Sequence, residues 1–242
     1  MKAKKLFKCL SLVVTPLVAL PLVAASCVDS KKKPQDQKKP TPQPKPKPKP
    51  QPQPQPTPTG DALADWKKQF PKYKIVNSYQ AVDTAVEINR YNIFDGDTFQ
   101  DIEHNDKVRF AGIDTPEISK AKNPTQKKYG IAAKTRLAEF MAKSEKTFVV
   151  PQHTNNGFRG DYGRVIAIVY AYIDKKWVNV CLEMVRLGFG KKAYISINHG
   201  DKFYTPNTEY YNDLLNAERE ARNKKLGIWK NSGEIKDIYP HK

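Results

Sequence analysis

Four short pieces of the sequence, all between residues 95 and 164, hold the side chains best suited to chemistry. The pieces are Asp95-Gly96-Asp97-Thr98, Arg109, Asp114-Thr115-Pro116-Glu117 and Tyr162-Gly163-Arg164. They supply two carboxylates that can bind a hard cation, a third that can act on water, and two guanidinium groups that can bind phosphate oxygens. Hydrolysis of a phosphodiester bond requires such a set.

The candidate cation ligands are Asp97 and Asp114, each at the end of a predicted strand. Strand ends can be neighbours in a barrel, so the two carboxylates could share one Ca²⁺ or Mg²⁺ ion, with backbone carbonyls and water completing its coordination. Taken alone, the Asp-Gly pair at residues 95 and 96 is typical of a hairpin turn, and we assign Asp95 to that turn.

The segment from Asp114 to Glu117 is predicted to be rigid. Pro116 fixes its own backbone and favours an extended conformation at Thr115, which holds the Thr115 carbonyl and both carboxylates in fixed relative positions. Glu117 is suited to orient or deprotonate a water molecule if a cation and a phosphate lie beside it. The alternative is an exposed acidic turn that caps the helix after it.

Two arginines are the candidate phosphate ligands. Arg109 lies between apolar Val108 and Phe110, so its side chain points away from the face that they bury. Arg164 begins a long apolar strand after a Tyr-Gly turn. Two guanidinium groups can spread the charge that develops on a pentacoordinate phosphorus. Each arginine alone could equally form a surface ion pair, so the prediction depends on their joint occurrence.

The elements that must position these residues predict an α+β domain. Alternating and helical apolar spacings indicate five strands and three helices. The strands are expected at 86–93, 98–103, 107–113, 147–151 and 164–173, and the helices at 126–143, 179–187 and 208–225. This succession favours a small closed five-stranded β-barrel of the OB-fold type with helices packed on it.

In this order and at these distances, the four pieces resemble the thermonuclease family, which has the staphylococcal-nuclease-like domain. The resemblance extends over residues 86–230 and includes Ala193-Tyr194 and the closing Leu226-Gly227-Ile228-Trp229. It implies that Asp97, Asp114 and the Thr115 carbonyl bind Ca²⁺.

The resemblance also implies roles for the remaining candidates. Glu117 would position the attacking water, and Arg109 and Arg164 would stabilise the phosphorane. Tyr162 would bind a neighbouring phosphate, and Tyr194 would contact the nucleotide.

The sequence departs from the family pattern at two positions. A basic residue often precedes the Tyr-Gly-Arg turn in the family, whereas this chain has Asp161 there. A second tyrosine commonly follows two residues after the one that Tyr194 matches, and here that residue is Ser196. Both changes predict weaker nucleotide binding with preserved bond cleavage, because the cation and arginine positions are retained.

The N-terminal region indicates export. Lysines precede an apolar run from Leu10 to Ala25, and Ala24-Ala25-Ser26-Cys27 resembles the lipobox of bacterial lipoproteins. Residues 1–26 would be a signal peptide and Cys27 would carry lipid at the membrane. The alternative is an uncleaved membrane-spanning helix.

The linker that follows predicts a tether between membrane and domain. Residues 27–60 are rich in Pro, Lys and Gln and should stay disordered. Residues 61–85 form an extension of uncertain role before a nuclease domain at 86–242. In this extension, Trp66, Phe70 and Tyr73 suggest a short segment that packs on the nuclease domain.

The net charge and the cysteine and histidine content narrow the class of protein further. More than half of the formal net charge of +17 lies before residue 61, so the remaining domain is only moderately basic, which suits a polyanionic partner. After lipidation of Cys27 one thiol, Cys181, would remain in an apolar segment, which cannot form a disulfide framework and predicts a core residue. The four histidines show no paired spacing and no adjacent acidic motif, which argues against a zinc- or histidine-dependent nuclease.

The sequence therefore predicts a monomeric nuclease anchored at the extracellular face of the cell membrane. It would require Ca²⁺, hydrolyse DNA and RNA with little sequence preference, and leave 3′-phosphate ends, as the family resemblance implies. The alternative is a non-catalytic nucleic-acid-binding lipoprotein or adhesin that kept the barrel. Such proteins usually lose an acidic or arginine position, and this chain retains all of them.

Overall fold

Ten strands and five α-helices follow one another in residues 61–240, the part of the chain that this computed structural model describes. The strands are β1 (Lys74–Val76), β2 (Thr84–Ile88), β3 (Tyr91–Ile93), β4 (Thr98–Asp101), β5 (Asp106–Phe110), β6 (Ile113–Asp114), β7 (Lys146–Pro151), β8 (Val165–Ile173), β9 (Lys176–Asn179) and β10 (Lys191–Lys192). The helices are α1 (Asp61–Gln69), α2 (Pro124–Lys143), α3 (Val180–Arg186), α4 (Thr208–Asn223) and α5 (Ile235–Ile238), with 3₁₀ helices at Gly227–Trp229 and Ser232–Glu234.

The predicted signal peptide, Cys27 and the linker lie outside the described residues. Among residues 61–240, no helix combines the length and the apolar character that crossing a bilayer requires.

Eight strands form one sheet. Seven of them follow the order β1-β2-β7-β8-β5-β4-β3, and β9 pairs with the second half of β8. The pairing of β5 with β8 is parallel and sets Arg109 opposite Ile166. Strands β6 and β10 form a separate antiparallel pair, in which Lys191 is opposite Asp114.

The predicted α+β class is confirmed, but the closed five-stranded barrel with three helices is wrong in its counts and in its closure. No pairing among residues 61–240 joins the edge strands β1 and β3, so the sheet is open. Strands β1, β3, β6 and β10 have two or three residues each, which is too short for an alternating apolar pattern to reveal them. Helices α1 and α5 are likewise short segments without a long apolar repeat.

Three of the helices, α2, α3 and α4, begin at asparagine caps. The side chain of Asn123 accepts a hydrogen bond from the Gln126 amide at the start of α2, where Pro124 occupies the first helical position. Asn179 and Asn207 cap α3 and α4 in the same way. The buried face of α2 includes Gly130, Ala133, Leu137 and Met141. Gly130 lies against the backbone of residues 116 and 117, and Ala133 lies against Gly96.

The N-terminal extension packs on the sheet. Trp66 of α1 is fully buried, with ring centroids 4.5 Å from Phe148 and 4.8 Å from Trp177. Phe70 and Tyr73 join the same aromatic cluster, and β1 adds a parallel strand at the edge beside β2. Residues 61–76 therefore cover an apolar surface of the sheet that would otherwise face water.

The core also contains the single described thiol. Cys181 is fully buried at the start of α3, and burial raises the pKa of its thiol to about 12. The thiol therefore stays protonated at neutral pH and acts as a small core side chain.

Candidate active site

The β4–β5 hairpin and the short strand β6 bring Asp97, Arg109 and Asp114 together. The guanidinium of Arg109 forms an ion pair with Oδ1 of Asp97 and a second one, at 3.1 Å, with Oδ1 of Asp114. Its NH2 group also donates to the Ile113 carbonyl at 3.0 Å. Two carboxylates that are far apart in the sequence are thus held by one side chain.

Asp97 joins the hairpin to the segment after β6. Its side chain is buried, and its Oδ2 atom accepts hydrogen bonds from the amide of Thr115 at 2.7 Å and from the Thr115 hydroxyl at 2.9 Å. Thr98 donates to Oδ1 of Asp97 at 3.0 Å. A buried carboxylate needs such partners, and these contacts fix the position of Thr115 relative to Asp97.

The Asp114–Glu117 loop packs closely on α2. A Cβ atom added at Gly130 would lie 2.6 Å from the Pro116 carbonyl oxygen and 2.7 Å from the Glu117 carbonyl oxygen. These distances are shorter than any ordinary contact, so glycine is the residue that lets the helix approach the loop. Helix α2 therefore packs directly against the Asp114–Glu117 loop. This packing agrees with the rigidity that Pro116 predicts for the loop.

A cavity of about 180 Å³ opens beside this loop. Its lining residues come from the loop, α2, β10, the segment after β10 and the C-terminal end: Asp114, Thr115, Glu117, Gln126, Lys191, Tyr194, Tyr239 and Pro240. Glu117 is half-buried at the wall of the cavity. The carboxyl groups of Glu117 and Asp114 thus line the same cavity.

Burial, and to a smaller extent mutual repulsion, perturbs the carboxyl groups of the site. Burial, followed by the charge of Asp97, raises the pKa of Asp95 to about 7. Burial also raises the pKa of Asp114, although Arg109 opposes the shift. Burial lowers the pKa of Arg109, but the surrounding carboxylates outweigh it and raise the pKa overall. Three carboxylates thus surround one guanidinium.

The donor set fits a hard divalent cation. Carboxylate oxygens are the ligands that Ca²⁺ prefers, and an added positive charge would relieve the repulsion among Asp95, Asp97 and Asp114. Arg109 binds Oδ1 of Asp114, and the Oδ2 atom has no hydrogen-bond partner among residues 61–240. Asp95, which the sequence assigned only to the turn, accepts from the Asp97 amide at 3.3 Å and belongs to this acidic group.

Arg164 lies outside the ion-pair network of Arg109, and neither it nor Tyr162 lines the cavity beside Glu117. Arg164 directly precedes β8, and alternation along the chain places it on the same face as Ile166, the register partner of Arg109. Its Cζ atom is 5.6 Å from the ring centre of Tyr162. No ion pair or hydrogen bond of its side chain is found among residues 61–240, and it is only half-buried. Both Tyr162 and Arg164 are therefore accessible to a ligand.

Tyr194 has an unusual backbone conformation at the edge of the site. Its φ of 55° lies in the left-handed region, which non-glycine residues rarely adopt. The ring is 45% exposed, lies 5.9 Å from Cζ of Arg109, and packs edge-on against Phe203 at 5.3 Å. This strained position presents an aromatic surface beside the arginine.

One loop reaches both positions at which the sequence departs from the family pattern. Lys202 forms an ion pair with Asp161 at 2.7 Å, which places an ammonium group beside the Tyr162 turn. The Ser196 amide donates to the Phe203 carbonyl at 2.8 Å, and Phe203 packs on Tyr194. Lys202 therefore lies beside Asp161, the position at which this chain lacks a basic residue. Phe203 lies beside Ser196, the position at which it lacks the second tyrosine.

A second acidic group, Asp101, Glu103 and His104, has atoms close enough to hold a metal ion. His104 therefore does have acidic neighbours, contrary to the expectation from the sequence. Its ring nitrogens lie 2.7 Å from Asp101 Oδ2 and 2.9 Å from the Asn77 carbonyl. Tyr79 also donates to Asp101 at 2.7 Å. These contacts join the N-terminal extension to the β4–β5 hairpin, and a cation there would have to displace one of them.

Five residues of the site were missed by the sequence analysis: Asp95, Gln126, Lys191, Tyr239 and Pro240. The acidic turn itself was a usable signal for Asp95. Gln126 is in the first turn of α2 and accepts from the Lys122 amide at 2.7 Å, which orients the segment before the helix. Nothing in the sequence pattern separates Lys191 or Tyr239 from ordinary surface residues.

Comparison of the sequence with known proteins identifies a family and several relatives. Residues 107–231, just over half of the chain, match the model of the family described as Staphylococcal nuclease homologue. The chain is 33% identical over 156 residues to the SPbeta prophage-derived endonuclease YokF of Bacillus subtilis, an alignment that covers 63% of this chain and 47% of YokF.

Two further relatives carry similar names. The endonuclease YncB of B. subtilis is 33% identical over 153 residues, covering 62% of this chain and 64% of YncB. The thermonuclease of Staphylococcus intermedius is 30% identical over 139 residues, covering 57% of this chain and 72% of that protein. The chain thus spans about half of YokF and somewhat under two thirds of YncB.

Proposed function

Because the chain belongs to the family of staphylococcal nuclease homologues, we propose that it is a Ca²⁺-dependent nuclease that hydrolyses phosphodiester bonds of DNA and RNA. The observation that carries the proposal is the Arg109 side chain, which binds Asp97 of the turn before β4 and Asp114 of β6 beside the Glu117 cavity. The named nuclease relatives support the same chemistry.

In this proposal Asp97, Asp114 and the Thr115 carbonyl hold the cation. A bound Ca²⁺ would supply positive charge next to the phosphate that is cleaved. Glu117 orients a water molecule and accepts its proton. Arg109 and Arg164 donate hydrogen bonds to phosphate oxygens as negative charge develops on them.

Substrate binding in this proposal depends on contacts that do not distinguish bases. Tyr162 binds a neighbouring phosphate, and the exposed ring of Tyr194 stacks on or contacts a nucleotide. Phosphate contacts and stacking carry little sequence information, so we expect low sequence specificity. The family resemblance adds cleavage that leaves 3′-phosphate ends.

Cleavage of plasmid DNA tests the activity and the cation requirement together. We expect nicked and then linear products with CaCl₂, and no cleavage when a chelator is in excess. The products should prime DNA synthesis only after phosphatase treatment, because a 3′-phosphate blocks the polymerase. Cleavage that persists in the chelator would refute the cation role. Binding of DNA without cleavage in CaCl₂ would favour the non-catalytic adhesin.

The Asp161→Lys variant tests the departure beside Tyr162. We expect a KM for DNA several-fold lower than that of the unchanged protein, because the change removes a repelling carboxylate and frees Lys202. The exposed ion pair contributes little to stability, so the melting temperature should not change. An Asp161→Asn variant, which only removes the charge, should fall between the two. An unchanged KM for Asp161→Lys would show that this position does not meet phosphate.

We also propose that the protein is held at the outer face of the cell membrane by lipid on Cys27, as a monomer. The support is the sequence pattern before Cys27 together with the Pro-rich residues that follow it. Two or more acyl chains give stable anchoring, whereas one chain gives only marginal binding. The mass and fatty-acid content of the mature N-terminus, and the mass of the native particle, test this part of the proposal.

A further inference from the structure

Residues 232–240, called here the C-terminal segment, follow the end of the family match at residue 231. They comprise the 3₁₀ helix Ser232–Glu234, helix α5, Tyr239 and Pro240. The last two residues nevertheless line the cavity that contains Asp114, Thr115 and Glu117. A part of the chain outside the family domain thus contributes to the wall of the candidate active site.

The C-terminal segment is fixed to α2 at several points. Tyr129 donates to Glu234 Oε2 at 2.8 Å, and the Asn123 side chain donates to the Asp237 carbonyl at 2.9 Å. Ile238 is fully buried. One buried apolar side chain and two hydrogen bonds place the following residue, Tyr239, at a defined position.

Tyr239 contacts the backbone of the candidate cation-binding loop. Its hydroxyl donates to the Asp114 carbonyl at 2.8 Å. The ammonium group of Lys191, opposite Asp114 in the β6–β10 pair, lies 3.9 Å from the centre of the Tyr239 ring. A cation over an aromatic face makes an attractive contact. Lys191 and the Tyr239 ring therefore stabilise each other's position beside the loop.

The Asp114–Thr115 peptide is consequently held from three directions. Arg109 binds the Asp114 side chain, Asp97 accepts from the Thr115 amide, and Tyr239 donates to the Asp114 carbonyl. The first contact lies within the matched residues 107–231, the second is made by Asp97, which precedes them, and the third comes from the C-terminal segment, which follows them. Loss of the hydroxyl would leave the Asp114 carbonyl without that donor.

We propose that Tyr239 is a positioning residue that fixes the Asp114–Glu117 loop for cation binding and for the water held by Glu117. This inference deepens the proposed nuclease function and rests on it for the cation. Tyr239 acts through the backbone of Asp114. Its hydroxyl fixes the geometry of the loop, and its ring forms part of the cavity wall.

The test compares Tyr239→Phe with Tyr211→Phe in the full chain. Tyr211 is a matched control because a lysine, Lys192, also lies over its ring, at 4.6 Å, and it does not line the cavity. The first measurement is hydrogen exchange of residues 113–118 without cation. The second is Ca²⁺ affinity by titration calorimetry. The third is kcat and KM for DNA at saturating Ca²⁺.

For Tyr239→Phe we expect faster exchange in residues 113–118 and about five-fold weaker Ca²⁺ binding, the usual scale for one hydrogen bond. The kcat should fall, while KM should change less than two-fold. Tyr211→Phe should match the unchanged protein in all three measurements. Rates of exchange and Ca²⁺ affinities equal to those of the unchanged protein would overturn the inference.

A raised KM with unchanged exchange would also overturn it, because Tyr239 would then contact substrate and not position the loop. The exchange measurement needs neither cation nor substrate. If the unchanged protein neither binds Ca²⁺ nor cleaves DNA, the proposed function fails. The exchange result would then still decide whether Tyr239 holds the loop.

Discussion

Replacing Arg109 with alanine is expected to reduce kcat by at least 10²-fold and to lower the stability of the domain. The guanidinium is the shared partner of Asp97 and Asp114, and its side chain is only 14% exposed. Removing one partner of a buried ion pair leaves an uncompensated charge and typically costs about 3–5 kcal/mol. The loss of a donor aimed at developing charge accounts for the fall in kcat.

The Arg109 prediction is checked by thermal unfolding and by single-turnover cleavage of a labelled oligonucleotide. Arg109→Lys should recover part of the stability and little of the activity, because an ammonium group cannot bind two carboxylates in the fork geometry of arginine. The matched control is Arg219→Ala, which removes an exposed arginine of α4 whose side chain bonds to Asn216 alone within residues 61–240. An active and stable Arg109→Ala variant would contradict the proposed site.

Replacing Arg164 with alanine should separate activity from stability. The Cζ atom of Arg164 lies 5.6 Å from the ring centre of exposed Tyr162, and its side chain forms no ion pair among residues 61–240, so the melting temperature should change little. Catalysis should still fall by at least 10²-fold, the usual scale for removing a charge-stabilising donor. The expected signature is therefore a large loss of kcat in a protein that unfolds like the original.

The same two measurements check the Arg164 prediction, and Arg219→Ala again serves as the control. Arg159 is unsuitable as a control because it forms an ion pair with Asp106 and donates to the Gly163 carbonyl beside Arg164. Near-normal cleavage by Arg164→Ala would mean that this arginine is an ordinary surface residue. A parallel loss of stability would mean that it supports the fold instead.

The approach of Asp97 to Asp114 could be predicted from the sequence, because each residue was expected at one end of a strand. In the structure Asp97 directly precedes β4, and Asp114 ends β6. Alternation in β5 likewise predicted that Arg109 leaves the face buried by Val108 and Phe110. The functional roles of these residues stay predictions. The open sheet could not be predicted, since pairings such as β5 with β8 join distant segments whose order no local pattern encodes.

The contributions of Tyr239 and Lys202 could not be predicted for a related reason. Neither residue belongs to a recognisable motif. Tyr239 reaches Asp114, and Lys202 reaches Asp161, because segments that are distant in the sequence pack together. Asp95 is different, because the sequence contained the acidic turn but gave no measure of its burial. Its raised pKa comes from the enclosed surroundings that folding creates.

The aromatic cluster around Trp66 makes the N-terminal extension spectroscopically visible. The chain has three tryptophans, and two of them, Trp66 and Trp177, lie in that cluster. The third, Trp229, packs under Arg222 near the end of α4. None of the three lines the cavity beside Glu117. Intrinsic indole emission will therefore report detachment of α1 from the sheet, and a ligand entering the cavity is better followed through tyrosine.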